Sequence, residues 1–277
     1  MRTLYVSDLD GTLLQPDATL SGNARDAIHE LLDRDVLFTL ASARSAVSMR
    51  ELLGPLPIAL PTVGFNGGTI SNWQTGETLR RASMASDVAR HIVGVAQREG
   101  LSPFVSTSGQ TDRLSYVNSI NGGMDWFIDE RNRAGDARLG QVDSLDPVLS
   151  DEVLCTTIIG EFELLTRLRD EIFEAIGESA RPQLYRNPYG PDWDWLTFNG
   201  PKATKAHGID GLIELAELDP ETNVVVFGDA LNDLEMFARA DHAVAPANAH
   251  PELLAAADEV IGANATDAVV GWLMANT

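Results

Sequence analysis

The sequence predicts an α/β protein in which a doubly wound, Rossmann-like parallel sheet is interrupted by an inserted α+β domain. Apolar, β-branched segments alternate with segments of helical periodicity over residues 1–66 and again over residues 200–277, which is typical of a parallel sheet. Residues 67–199 instead contain short segments that pair as hairpins. Carboxylates directly follow apolar segments near both ends of the chain, where open parallel sheets carry their chemistry.

The first 66 residues alternate between strands and helices. Continuous apolar segments predict the strands, and apolar residues spaced three and four apart predict the helices. Ser21 is the expected N-cap of the first helix. In order, the predicted elements are a strand at 3–9, a helix at 22–34, a strand at 36–41, a helix near 46–53 and a strand that ends at 63–65. This order implies parallel strands joined by right-handed crossovers.

The predicted insert has a different pattern. Its elements are strands at 68–73 and 77–82, a helix at 86–99, strands at 103–107, 113–117 and 153–159, a helix at 162–176, and strands near 183–187 and 193–198. Residues 130–150 are polar and aperiodic, so we expect a long loop there. Trp193 and Trp195 alternate along a strand, which puts both indoles on one face. Core packing is favoured for them over stacking against a sugar.

The alternation of strands and helices returns in the last part of the chain. The predicted elements are a helix at 203–217, a strand at 223–228, a helix at 231–239, a strand at 242–245, a helix at 250–256, a strand at 258–261 and a helix at 266–275. The two outer parts of the chain therefore build one parallel domain, and the insert forms a second domain.

Composition restricts the partners of the chain. Apolar residues make up 44% and charged residues 22% of its 277 residues, as in soluble globular proteins. The net charge of −21 disfavours nucleic acid and anionic lipid as partners. No apolar run approaches the ~20 residues that span a bilayer. The N-terminus lacks the pattern of a signal peptide, and Cys155 is the single cysteine, so we expect a cytoplasmic protein.

Two acidic motifs carry the chemistry. Asp8 and Asp10 follow the first strand, two residues apart, which puts both carboxylates on one side of an extended chain. One carboxylate can attack phosphorus, and the other can transfer protons. A solvated turn after the strand is the alternative. Asp229 and Asp233 follow a later strand. Four carboxylates at one sheet edge repel each other unless a cation lies among them, and oxygen ligands suit Mg²⁺.

These motifs resemble those of a known family. The run Asp8–Leu14 resembles the first signature of the haloacid dehalogenase superfamily, and the run Gly228–Asp233 resembles its fourth. The order of the segments and the position of the insert resemble the Cof-type (subfamily IIB) sugar-phosphate phosphatases, in which a large α/β cap is inserted into the core. The resemblance implies a catalytic core at 1–66 plus 200–277 and a cap at 67–199 that determines substrate specificity.

The resemblance also implies roles for the acidic residues. Asp8 would be the nucleophile and Asp10 the general acid/base. Mg²⁺ would be held by Asp8, by Asp229 and by the backbone carbonyl of Asp10. Asp233 would be a further ligand or a supporting residue. Asp233 has an alternative role, since a negative charge near a helix N-terminus is favourable by itself.

Further residues are candidates for phosphate binding. Ser42, with Ala43 and Arg44 beside it, ends a strand before a helix, where a hydroxyl and free amides bind anions. The alternatives are a plain N-cap for Ser42 and an exposed, solubilising role for Arg44. Lys205 is preferred over Lys202 as the cationic residue. The number of residues that separates it from Asp229 along the chain resembles the third signature of the family.

Two asparagines complete the candidate site. Asn66 lies where the insert begins, and either contacts the substrate or adopts a left-handed turn before Gly67. Asn232 is expected to orient Asp229 or Lys205, with helix capping as the alternative.

The sequence thus predicts a Mg²⁺-dependent phosphomonoester hydrolase that acts through an aspartyl-phosphate. Its expected substrates are small phosphorylated metabolites, with sugar phosphates favoured. A phosphosugar mutase and a non-catalytic protein that binds phosphorylated metabolites are the alternatives. Neither nucleic acid nor a membrane is an expected partner, and we expect a monomer or a small homo-oligomer.

Overall fold

A computed structural model describes residues 2–109, 111–187 and 193–277. The chain divides into two compact units. The parallel-sheet unit comprises residues 1–80 and 204–277, and the inserted unit comprises residues 81–203. The predicted boundaries, after residues 66 and 199, differ from this division chiefly at the first junction.

The secondary structure of the described residues follows the chain in this order. The strands are β1 (Thr3–Ser7), β2 (Leu37–Leu40), β3 (Thr62–Gly64), β4 (Thr69–Ser71), β5 (Thr78–Arg81), β6 (Phe104–Ser108), β7 (Arg113–Tyr116), β8 (Leu139–Gln141), β9 (Glu152–Gly160), β10 (Arg181–Arg186), β11 (Asp194–Asn199), β12 (Asn223–Phe227), β13 (His242–Pro246) and β14 (Glu259–Ile261). The helices are α1 (Gly22–Asp33), α2 (Ala46–Leu53), α3 (Ser86–Arg98), α4 (Gly122–Ala134), α5 (Phe162–Ile176), α6 (Lys205–Leu215), α7 (Leu234–Arg239), α8 (Pro251–Ala256) and α9 (Ala268–Asn276).

The parallel-sheet unit contains a five-stranded sheet in the order β14-β13-β12-β1-β2. All its neighbouring strands are parallel, and Val6 of β1 lies opposite Val226 of β12 and Thr39 of β2. Alternate side chains of β1 pack on opposite faces, Tyr5 with α1, α2 and α9, and Val6 with α6, α7 and α8. Helices therefore cover both faces, which confirms the predicted doubly wound sheet.

Residues 67–80 stay with the parallel-sheet unit for a packing reason. β4 pairs antiparallel with β3, so that Ile70 lies opposite Val63, and β5 extends this small sheet. The indole of Trp73 is buried in the apolar cluster of α1, α2 and α9 and donates a hydrogen bond to the Leu56 carbonyl at 2.7 Å. The sequence pattern changes at residue 67, but the packing changes only after β5 begins.

The inserted unit is built on a six-stranded sheet in the order β10-β11-β9-β6-β7-β8. Neighbouring strands are antiparallel except β7 and β8, which are parallel. Helices α3 and α5 pack on one face and α4 on the other. The unit is therefore the α+β domain that the sequence predicted.

The predicted long loop at 130–150 is wrong. The end of α4 and the whole of β8 lie in this range. Asn121 caps α4 by accepting a hydrogen bond from the Met124 amide at 2.9 Å. The sequence did not reveal α4 because its apolar residues are concentrated at 124–128 and the five residues after them are polar, so helical spacing extends over little more than one turn.

Trp193, just before β11, and Trp195, within it, both pack in the core, as favoured from the sequence. Trp195 is 2% exposed, and its ring meets Trp126 of α4 edge to face with centroids 6.0 Å apart. Trp193 is partly buried in the same cluster. Within the ranges given above, none of the helices has both the length and the apolar character needed to cross a bilayer.

Candidate active site

The parallel sheet brings the two acidic motifs together. β1 and β12 are neighbours, so their carboxyl ends lie at the same sheet edge. Asp8 directly follows β1, and its amide donates to the Phe227 carbonyl at 2.9 Å. Asp229 lies two residues after Phe227. The position of β1 beside β12 therefore accounts for a site that joins the start of the chain to its last part.

The Asp8 side chain is buried, with 5% of the residue exposed. Its Oδ1 accepts a hydrogen bond from the Leu9 amide at 2.7 Å, and its Oδ2 lies 2.8 Å from Nζ of Lys205. Burial raises the pKa of Asp8 well above its ordinary value, and the charges of Asp233 and Asp229 raise it further, although Lys205 opposes this shift. Contacts to both oxygens fix the orientation of the Asp8 carboxylate. Burial and the neighbouring carboxylates disfavour its negative charge.

Lys205 is fully buried between two carboxylates. Thr204 caps α6 by accepting a hydrogen bond from the His207 amide at 3.0 Å, which places Lys205 as the first helical residue. Its Nζ lies 2.8 Å from Asp8 Oδ2 and 2.6 Å from Asp233 Oδ1. Burial lowers the pKa of Lys205, but the charges of Asp233 and Asp8 outweigh burial and raise it. Lys205 is therefore a fixed positive charge beside Asp8, whereas Lys202 is exposed.

Asp233 holds the loop that carries Asp229. It is fully buried, and its Oδ2 accepts hydrogen bonds from the amides of Asp229 and Ala230, both at 3.0 Å. Its other oxygen binds Lys205. A Cβ at Gly228 would lie 2.6 Å from Asp233 Cγ, so this close approach requires glycine. Asp233 thus fixes both the lysine and the loop.

Asp229 contacts the loop after β1. Its Oδ1 accepts a hydrogen bond from the Thr12 hydroxyl at 2.8 Å. A Cβ at Gly11, where φ is +72°, would overlap Oδ2 of Asp229, so glycine is required for this approach. Burial, with the nearby charge of Asp233, raises the pKa of Asp229 to about 6. Thr12 lies within the first acidic motif, but no pattern in the sequence indicated this contact.

Two buried carboxylates and one partly buried carboxylate fit a hard metal ion. Oxygens of Asp8, Asp229 and Asp233 lie within 4.8 Å of one another. The donor set is all oxygen, which is typical of Mg²⁺ and Ca²⁺ and not of soft metals. Three carboxylates face one lysine, so a divalent cation would neutralise the remaining two negative charges. The side chain of Asp10 is not part of this group.

Asp10 is paired with Arg44. Nε of Arg44 donates to Oδ2 of Asp10 at 2.7 Å, and Nη2 donates to Oδ1 at 2.8 Å. The alternative of a purely solubilising Arg44 is wrong, because only 15% of its side chain is exposed. The sequence pattern gave no sign of this pair, since it depends on β2 lying beside β1.

Ser42 and Ala43 lie in the turn after β2. The Ser42 hydroxyl oxygen accepts a hydrogen bond from the Arg44 amide at 3.2 Å, and Ala43 is exposed. The N-cap of α2 is Ser45, which accepts from the Ser48 amide at 3.1 Å. The alternative that Ser42 caps this helix is therefore wrong. Its assignment to phosphate binding stays a prediction.

The two candidate asparagines contact each other. Nδ2 of Asn232 donates to Oδ1 of Asn66 at 3.0 Å. Asn66 has a φ of 54° and lies in a left-handed turn between Phe65 and Gly67, as one of the two interpretations proposed. Asp233 binds Lys205 and the Asp229 amide, and the orienting role expected of Asn232 stays a prediction. Substrate contact by either asparagine stays a prediction.

Asn248 supports the loop after Asp10, and its contacts could not be read from spacing. Its Nδ2 donates to the Gly11 carbonyl at 2.8 Å, and its Oδ1 accepts from the Asn264 amide at 2.9 Å. Asn264 in turn donates to the Leu14 carbonyl at 2.8 Å. The middle and the end of the turn between Leu9 and Leu14 are thereby tied to the last part of the chain.

Comparison with known proteins places the chain in a family. A model of haloacid dehalogenase-like hydrolases matches residues 5–273. An HMP-PP phosphatase of Escherichia coli O6:H1 is 27% identical over 263 residues, which cover 92% of this chain and 88% of that protein. A solved haloacid dehalogenase-like hydrolase from Bacteroides thetaiotaomicron superposes with a TM-score of 0.82 at 23% identity and full coverage of both chains. A solved sugar phosphatase of haloacid dehalogenase subclass IIB has a TM-score of 0.76 at 18% identity, covering 99% of this chain and 98% of its own.

The chain belongs to the haloacid dehalogenase-like hydrolases, because the family model covers nearly its whole length. The family predicted from the two acidic motifs is thereby confirmed, and so is the prediction that the chain is an enzyme. The similarity to the solved structures supports the fold.

Proposed function

We propose that this hydrolase is a Mg²⁺-dependent phosphatase that cleaves small phosphorylated metabolites through a phosphoaspartate at Asp8. The main support is the environment of Asp8. Its buried carboxylate lies 2.8 Å from the Lys205 ammonium and within a group of three carboxylates that suits a divalent cation. A nucleophile, a fixed positive charge and metal ligands at one sheet edge are what phosphoryl transfer requires.

The proposed metal ligands are Asp8, Asp229 and the backbone carbonyl of Asp10, with Asp233 in support. Asp233 is the weaker candidate for direct ligation, because its two oxygens already bind Lys205 and two backbone amides. Bound Mg²⁺ would neutralise charge on the phosphoryl oxygens and reduce repulsion between the phosphate and Asp8.

In the first chemical step, an oxygen of Asp8 attacks phosphorus while the bond to the leaving oxygen breaks. The carboxyl group of Asp10 gives its proton to the leaving oxygen, which departs as an alcohol. The Lys205 ammonium stays near the phosphoryl group before and after its transfer to Asp8, because two carboxylates fix its position. Ser42 and nearby amides are proposed to donate to the phosphoryl oxygens.

In the second step, the Asp10 carboxylate takes a proton from water as the water oxygen attacks phosphorus. The bond between phosphorus and the Asp8 oxygen breaks, which releases inorganic phosphate and restores the Asp8 carboxylate. Asp10 regains the proton that it gave up, so both residues return to their starting state.

The substrate class rests on the relatives and on charge. The curated relative is named an HMP-PP phosphatase, and one structural neighbour is a sugar phosphatase. A chain with a net charge of −21 repels phosphate esters, so local positive charge at Lys205 and the metal must attract them. We assign the choice of leaving group to the inserted unit, and we retain the prediction of a cytoplasmic monomer or small oligomer.

The decisive experiment traps the intermediate. Purified protein with Mg²⁺ is mixed with 4-nitrophenyl phosphate, quenched in acid and reduced with borohydride, which converts a phosphoaspartate to homoserine. Mass spectrometry should find homoserine at position 8 and not at position 10. Release of inorganic phosphate to water separates a phosphatase from a mutase. Without Mg²⁺-dependent phosphate release, or with the label elsewhere, the proposal fails.

A further inference from the structure

Arg44 binds both oxygens of the Asp10 carboxylate. The two hydrogen bonds, of 2.7 and 2.8 Å, come from Nε and Nη2 of one guanidinium. The side chains are 15% and 29% exposed, so water reaches this pair only in part. Two parallel hydrogen bonds fix the plane of a carboxylate, which a single ammonium contact does not do.

The backbone that carries Arg44 is itself held on both sides. The Arg44 amide donates to the Ser42 hydroxyl at 3.2 Å, and the Arg44 carbonyl accepts from the Phe65 amide at 3.0 Å. A Cβ at Gly64 would lie 3.1 Å from the Arg44 carbonyl oxygen, so the chain packs closely there. β2, which precedes Arg44, pairs directly with β1, which precedes Asp10. The guanidinium is therefore presented to Asp10 from a rigid support.

We infer that Arg44 is a positioning residue that orients the Asp10 carboxyl group for proton transfer, and that it acts through Asp10 and not through the substrate phosphate. The inference rests on the proposed function. A carboxylate has about four lone-pair sites, and Arg44 occupies one on each oxygen, which leaves a site on each for a proton. Asp10 gives its proton to the leaving oxygen and later takes one from water. Arg44 stays charged throughout and transfers no proton.

Leaving groups of different basicity test this role. Phenyl phosphates with substituents from 4-nitro to 4-methoxy differ little in size, but their leaving phenolates differ strongly in basicity. The more basic phenolates depend more on a proton from Asp10 when they leave. Wild-type protein is compared with Arg44→Lys, which keeps the charge, and with Arg44→Gln, in case one variant folds poorly. Arg50→Lys is the matched control, because Arg50 is partly buried in the same unit and binds only the Gln74 carbonyl, at 2.9 Å, among its described contacts.

The expected result is a loss that grows with leaving-group basicity. For both Arg44 variants, kcat/KM should fall at least about tenfold more for the 4-methoxyphenyl ester than for the 4-nitrophenyl ester. With the 4-nitrophenyl ester, kcat should fall and a burst of nitrophenolate should appear, because breakdown of the phosphoaspartate still needs Asp10. Arg50→Lys should change neither the dependence of kcat/KM on leaving-group basicity nor the size of the burst.

A double variant tests whether Arg44 acts through Asp10. Adding Arg44→Lys to Asp10→Asn should reduce activity by less than about twofold beyond Asp10→Asn alone. Equal losses on all esters, or additive losses in the double variant, would overturn the inference while leaving the phosphatase intact. Wild-type protein without Mg²⁺-dependent hydrolysis would overturn the proposed function, and the inference with it.

Discussion

Among the described residues, each unit contains a largely buried cluster of charged side chains, and these two clusters differ in charge balance. In the parallel-sheet unit, the carboxylates of Asp8, Asp229 and Asp233 lie together with one lysine, Lys205, which binds Asp8 and Asp233. In the inserted unit, Asp136 binds Arg138 at 2.8 and 2.6 Å, with Arg131 at 3.8 Å. Glu130 lies 3.1 Å from Arg131, so two carboxylates there meet two guanidiniums.

The pKa directions follow this difference. Asp136 is buried, which raises its pKa, but the hydrogen bonds and charge of Arg138 outweigh burial and lower it. At Asp8 and Asp229, burial and neighbouring carboxylates raise the pKa in spite of Lys205. A balanced cluster stabilises its own charges, whereas an unbalanced one needs another cation. Burial of charge alone therefore does not indicate a site, but an uncompensated excess of one sign does.

The largest expected effect comes from the nucleophile. Asp8→Asn should reduce phosphate release by at least about 10⁴-fold, because an amide in place of the proposed nucleophile cannot form the phosphoaspartate. The metal-free variant should be no less stable than wild type, since it removes one of three repelling charges. Phosphate release and thermal unfolding measure the two effects. Activity near that of wild type would show that the unbalanced cluster is not the reacting centre.

The second-largest expected effect comes from removing one charged partner from each cluster. Lys205→Met and Asp136→Leu each leave buried charges without their counter-charge, and each should destabilise its own unit by about 3–5 kcal/mol. Only Lys205→Met should abolish catalysis, while Asp136→Leu should leave kcat per folded molecule within about twofold.

Hydrogen exchange followed peptide by peptide locates the loss of stability in residues 1–80 and 204–277 or in residues 81–203. If Asp136→Leu abolished kcat in molecules that are still folded, the balanced cluster would not be purely structural.

The two clusters should respond to pH in opposite directions. Because the pKa of Asp229 is raised from 3.8 to about 6, its contribution to metal-free stability is present below about pH 4 and is lost as pH rises through about 6. Because the pKa of Asp136 is lowered, its contribution is present above 3.8 and is lost as pH falls through the lower folded value.

Exchange measured from about pH 4 to 7 without metal should therefore show the parallel-sheet unit losing stability while the inserted unit does not. Mg²⁺ at about 100 times its Kd should restore about 2.7 kcal/mol to the parallel-sheet unit alone. Equal stabilisation of both units by Mg²⁺ would contradict a single site at the unbalanced cluster.

The smallest expected effect is at Asn248. Asn248→Ala removes hydrogen bonds to the Gly11 carbonyl and from the Asn264 amide, at a cost of about 1 kcal/mol. Exchange should increase in residues 9–14, with a modest fall in kcat. Asn276→Ala, which loses only a hydrogen bond to the Trp272 carbonyl, is the control and should leave both unchanged. Equal effects of the two variants would show that Asn248 does not specifically support the loop after Asp10.

Prediction from the sequence succeeded where the signal is local. The strands and helices of the parallel-sheet unit follow apolar runs and helical spacing, and Ser21 caps α1 as expected. It failed at α4, whose burial comes from aromatic residues such as Trp195 that lie far away in sequence. It also placed the first junction at residue 67, because the strand pattern changes there, although Trp73 still packs with the parallel sheet.

The sequence by itself determined the family and the order of the parallel-sheet elements, with Asp8 and Asp229 at the ends of β1 and β12. Only the tertiary structure decided how side chains pair within the site. It placed Lys205 between Asp8 and Asp233, joined Asn232 to Asn66 and bound Arg44 to Asp10. Periodicity reports which face of an element is buried, because burial repeats with the local geometry. A side-chain partner depends instead on which strands become neighbours, which no local pattern records.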